Sequence, residues 1–136
     1  MKKVILTLKD RHLLFNTLAT WKGGMDEMPF IADDVKAINI TEEDWKKAER
    51  TKFVAVKMKA DGVEGLISEK EFNKDTMELT DKDGYWTWKE EKIKPIEVEI
   101  SPASAKYLKK ILDEKSEKGE ITLKDKEFID LLKKIS

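Results

Sequence analysis

No cysteine occurs among the 136 residues. Disulfides, thiolate metal sites and Cys nucleophiles are therefore excluded, and the absence fits a reducing cytosol. Histidine is nearly as scarce: His12 stands alone, and zinc would need further His or Cys ligands. Charge of one sign is also missing. Lys and Arg number 27 against 28 Asp and Glu, for a net charge of −1. The signs alternate closely, as in DEKSEKGE, which describes a solvated surface. The balance argues against a general nucleic-acid binder, which needs a net basic face to release counterions, and leaves room only for a local basic patch. The apolar run after Lys2 and Lys3 is cut by Lys9, too early for a signal peptide or a membrane span.

Catalytic signatures are missing too. KGGMDE and ADGVEG lack the Lys-Ser/Thr pair of a phosphate loop. No serine sits in a Gly-flanked strained turn. The acidic pairs Asp33-Asp34, Glu42-Glu43 and Glu90-Glu91 lie among lysines and read as surface, with nothing to tune a pKa. Asp81, Asp83, Gly84 and Glu90 match part of a calcium loop. Leu79 occupies its first ligand position, however, and a tight turn explains the glycine better. No catalytic residue, metal ligand or cofactor is assigned, and the expectation is a chain that is not an enzyme.

Hydrophobic residues make up 40% of the chain, enough for a core, and the length suits one domain over residues 1–136. Start signals for helices recur. LTLKD at the beginning and ITLKD near the end each hold a Thr followed three residues later by Asp, a capping box. Thr41 and Asp44 repeat the pattern, and Ser101-Pro102 starts a further helix. The residues after the two LKD copies differ, so the repeat marks helix starts and not a duplicated site. Helices are expected over 8–21, 42–51, 102–117 and 123–135, with Gly119 closing the third. Residues 25–40 show no period beyond a short turn around Ala32–Ala37. Strands are expected on either side of Asp61-Gly62. MELT and YWTW should form a hairpin across Asp83-Gly84, and Ile96, Val98 and Ile100 alternate as a half-buried strand. The expected class is α+β: a small antiparallel sheet or meander, with helices from both ends of the chain on one face.

Aromatic residues are few, and their placement is informative. Along a strand, Trp86 and Trp88 share one face and Tyr85 the other. They fill the core, or they form an exposed platform. With Trp21 they are the candidate anchors for a partner, because Trp and Tyr dominate interface energetics. Arg11, His12, Arg50, Lys89 and Lys92 are the candidate contacts for a small anionic ligand such as a nucleotide.

Together, ILTLKDRHLLFNTL, ITEEDWKKAE, DGYWTWKEEKIKPIEVEIS, AKYLKKILDEKSEKGEIT and LKDKEFIDLLKKI form an ordered pattern. It resembles uncharacterised small proteins encoded in bacteriophage and prophage genomes. The resemblance implies an accessory protein in the host cytoplasm that acts by binding a host protein, for example as an inhibitor of a host defence system; a homodimer is a separate expectation. It carries over no catalytic residue.

Overall fold

The computed structural model describes residues 2–136. The class is α+β, with antiparallel strands divided between two sheets. The chain forms two compact units, one inside the other in sequence. The outer unit joins residues up to Thr41 with Lys94–Ser136, and the inserted unit is Glu42–Ile93.

The outer unit begins with a strand that the sequence pattern does not announce. β1 (Lys2–Leu6) pairs with β6 (Ile96–Ile100), placing Val4 opposite Val98 and Leu6 opposite Ile96. Those apolar pairs share one face by the two-residue period of a strand. Lys3 stands opposite Glu99, a cross-strand pair of opposite charge. Helix α1 (Leu8–Leu18) follows directly from Thr7, whose hydroxyl accepts from the Asp10 amide while the Asp10 carboxylate accepts from the Thr7 amide, both at 3.1 Å.

Helix α2 (Met28–Ile38) occupies the stretch expected to be largely irregular. Ile31, Asp34 and Ile38 are its buried residues, and that spacing is helical. Its middle member is an acid, which is why apolar counting missed the period. Asp33 is exposed, as expected of a surface acid, but Asp34 is 1% exposed and corrects the surface assignment. Its carboxylate accepts from the Ser101 amide at 3.1 Å, from the Ser101 hydroxyl at 2.6 Å and from the Ser104 hydroxyl at 2.5 Å. Asp34 therefore caps helix α4 (Pro102–Glu117) from outside that helix. A negative group there also faces the positive end of the α4 dipole.

Helix α4 ends as expected. Gly119 has a φ of 66°. Its amide donates to Ser116 O at 3.1 Å, and the Glu120 amide donates to Lys115 O at 2.8 Å. These are the two bonds of a Schellman motif. Helix α5 (Lys126–Ile135) is entered through a 3₁₀ turn over Leu123–Asp125. Leu6, Leu14, Leu18, Ile31, Ile38, Ile100, Leu108, Leu131 and Ile135 meet in the core of this outer unit.

The second LKD copy gives a titration test. The Asp125 carboxyl is held below the usual carboxylate range, first by the Thr122 amide and then by the Lys115 ammonium at 2.9 Å. A depressed folded-state pKa means the contribution is complete above the unfolded-state value. It is lost as pH falls through the lower folded-state value. Carbon-detected NMR titration should show Asp125 titrating below an ordinary aspartate. Lys115→Met should raise the midpoint only part of the way, because the Thr122 amide remains. An unmoved midpoint would show that Lys115 contributes nothing.

Candidate functional site: an arginine against two indoles

The inserted unit is built on β2 (Thr51–Met58). β3 (Glu64–Ser68) pairs along one edge of it, reached through a turn in which Gly62 has a φ of 72°. The other edge corrects the expected hairpin. β4 (Met77–Leu79) and β5 (Tyr85–Thr87) do not pair with each other across Asp83-Gly84. Both pair antiparallel with β2, β4 against Val56–Met58 and β5 against Thr51–Phe53. They therefore lie end to end, and the intervening segment bridges them. A Cβ on Gly84 would sit 2.0 Å from the Phe53 carbonyl oxygen. Glycine is needed here for close backbone approach, the alternative use of a residue that elsewhere makes turns.

Before β2, the short helix α3 (Glu42–Lys47) stops at an unusual residue. Glu49 adopts a φ of 54°, a left-handed conformation that is uncommon outside Gly, Asn and Asp. The Glu49 amide donates to Lys46 O at 3.1 Å and the Arg50 amide to Trp45 O at 3.0 Å. This is again the Schellman pair, which brings the residue after the left-handed one back over the helix's last turn. That residue is Arg50, and its guanidinium carbon lies 4.3 Å from the centroid of the Trp45 ring. Strand β5 brings a second ring: Trp86, opposite Lys52 in the register, places its ring centroid 3.9 Å from the same carbon. The result is a cation held by the faces of two indoles.

Neighbouring groups support this stack. Trp88 meets Trp45 edge to face with centroids 5.2 Å apart, and its indole N–H donates to Glu90 at 2.9 Å. Tyr85 stacks on Phe53 at 5.1 Å. Lys89 pairs with Glu49 at 2.9 Å, which raises the Lys89 pKa and lowers that of Glu49. The same pair ties the left-handed residue to the segment after β5.

Of the expected anchors, Tyr85 and Trp86 are each 47% exposed and Trp88 is half-buried. Trp21 belongs to the outer unit, half-buried against its core. Its ring would lie 2.5 Å from a Cβ at Gly23. The expected anion contacts are dispersed. Arg11 is buried in the outer unit and donates to the carbonyls of Ile38 at 3.3 Å and Asn39 at 2.8 Å, capping the C-terminus of α2. His12 lies 3.2 Å from the Asn16 amide nitrogen. Lys89 is committed to Glu49, and Lys92 is exposed. Only Arg50 combines with the aromatic set.

Sequence reasoning passed over Trp45, the second wall of the stack. The signal was available in Trp45–Arg50 at a helix end, but the Schellman spacing is seldom sought without a glycine. Among the described residues, no group of three or more His, Cys, Asp or Glu is placed to hold a metal. No described helix is long and apolar enough to cross a membrane. Comparisons with protein-family models, with curated proteins and with solved structures returned no match.

Proposed function

We propose that this chain is a non-enzymatic binding module that contacts a partner protein through the aromatic surface of its inserted unit. The observation carrying this reading is an imbalance of burial. Ala48 and Val56 are the buried hydrophobic residues of the unit, while Val63, Leu66, Leu79, Tyr85 and Trp86 are exposed. Scattered exposed leucines are ordinary, but aromatic groups fixed in place on a sheet are typical interface anchors. Phe53 and Arg50 hold Tyr85 and Trp86 in position before any partner arrives, which lowers the entropy of ordering them on binding. The resemblance to phage and prophage proteins supports a host protein in the bacterial cytoplasm as the partner, with interference in a host defence system as the role.

The test is capture from a bacterial lysate with the unaltered chain and with Trp86→Ala. One dominant protein should be retained by the former. Its recovery should fall by roughly tenfold or more with the variant, as for an anchor contributing at least ~1.4 kcal/mol. Undiminished recovery by a Trp86→Ala chain with unchanged circular dichroism would discard this reading.

A further inference from the structure

Resting on that reading, we propose that Arg50 receives a carboxylate from an acidic segment of the partner. The rings of Trp45 and Trp86 lie 4.3 and 3.9 Å from its guanidinium carbon. Contact with ring faces uses none of the five N–H donors that a guanidinium carries in its own plane. Among the described residues no carboxylate forms an ion pair with Arg50, and its Nε is buried without a hydrogen-bond acceptor. A buried donor without a protein acceptor takes its bond from a water or from a ligand atom. Two indole rings against the cation also strip water from it, which strengthens its attraction for an incoming anion.

The surroundings select the anion. Arg50 lines a cavity of about 220 Å³ with Glu42, Trp45 and Lys46. Two of those side chains are positive and one is negative, so the opening carries a single net positive charge. A carboxylate balances that charge, and it matches the planar fork of an arginine in a two-point contact. A phosphate dianion would exceed it. Exposed Trp86 adds the apolar surface that a peptide can cover and a free small acid cannot. The occupant is therefore an acidic residue of a protein, flanked by apolar side chains.

The experiment uses the isotope-labelled full chain and follows the Arg50 Nε–H signal and the indole N–H signals of Trp45 and Trp86. The probes are a short Gly/Ser peptide with one central Glu and a flanking Leu, its Gln counterpart, inorganic phosphate and ATP. The Glu peptide should shift the three signals together and saturably, and the Gln peptide should bind about tenfold more weakly, the size of one charge-assisted bond. Arg50→Lys should remove the indole response while keeping the charge, because the fork is lost. Equal binding of the Glu and Gln peptides, or a response to phosphate or ATP that exceeds that to Glu, would overturn the proposal. If Trp86→Ala abolishes partner capture while neither peptide binds, the binding module stands and the carboxylate assignment falls. If the Glu peptide binds as expected while Trp86→Ala leaves capture intact, the proposed surface falls and the Arg50 site stands.

Discussion

Asp34→Ala is expected to be the most damaging single change in the outer unit, at roughly 3–5 kcal/mol. One carboxylate satisfies the Ser101 amide, the Ser101 hydroxyl and the Ser104 hydroxyl, and both serines are buried. Removing it leaves three donors at the start of α4 with no acceptor and little access to water. Each unmatched buried donor costs about 1–3 kcal/mol, reduced where water enters the space left behind. A small domain has about 5–15 kcal/mol of total stability, so this one change is a large share. Asp34→Asn separates charge from shape. Its oxygen can still serve both hydroxyls, while its amide nitrogen faces the Ser101 amide, so the loss should be clearly smaller than for alanine. Urea denaturation followed by circular dichroism measures both. An alanine variant within about 1 kcal/mol of the parent would refute the role of Asp34 as the cap of α4.

Gly84→Ala is expected to act just as strongly, but locally. The new Cβ would stand 2.0 Å from Phe53 O and 3.0 Å from Phe53 C, both backbone atoms that a rotamer change cannot move. Either β2 bends or β5 lifts away. Lifting β5 separates Tyr85 from Phe53 and Trp86 from Arg50. A loss of about 2–4 kcal/mol in the inserted unit follows. Hydrogen exchange reads it directly: protection over 51–53 and 85–87 should collapse, while 96–100 and the core helices of the outer unit keep theirs. Gly65→Ala is the control. Nothing lies within 4 Å of its Cβ position, so that change should be neutral or stabilising by about 0.4–1 kcal/mol. If both variants kept full protection of β5, the close approach at Gly84 would have no structural importance.

Much of this fold was legible where a local rule had no competitor. The Thr7 and Asp10 cap, the turn at Gly62, the α4 helix with its Gly119 stop and the alternating β6 all follow from neighbours in sequence. The misreadings have a common cause: a residue whose role is set by a distant segment. Asp34 is acidic because Ser101 and Ser104 require an acceptor, and in sequence alone it breaks an apolar stripe. Gly84 is small because Phe53 is close, and in sequence alone it looks like a turn. β1 has only Val4 and Leu6 as buried residues, and it becomes a strand because β6 lies beside it. For the site, Trp86, Tyr85 and Arg50 were named from composition. Trp45 was not, because its pairing with Arg50 depends on a left-handed glutamate that propensity disfavours.

The insertion has a consequence for synthesis. Leu6 finds its partner in Ile96, so the first strand leaves the ribosome long before the residue it must pair with exists. Residues 42–93 emerge in between and hold their own strand pairings, so they can form before the enclosing unit closes. Closing early also shortens the flexible span between Leu6 and Ile96, which lowers the entropy lost when they meet. During translation, then, the strands carrying Tyr85 and Trp86 can pair before the part of the chain that encloses them in sequence is complete.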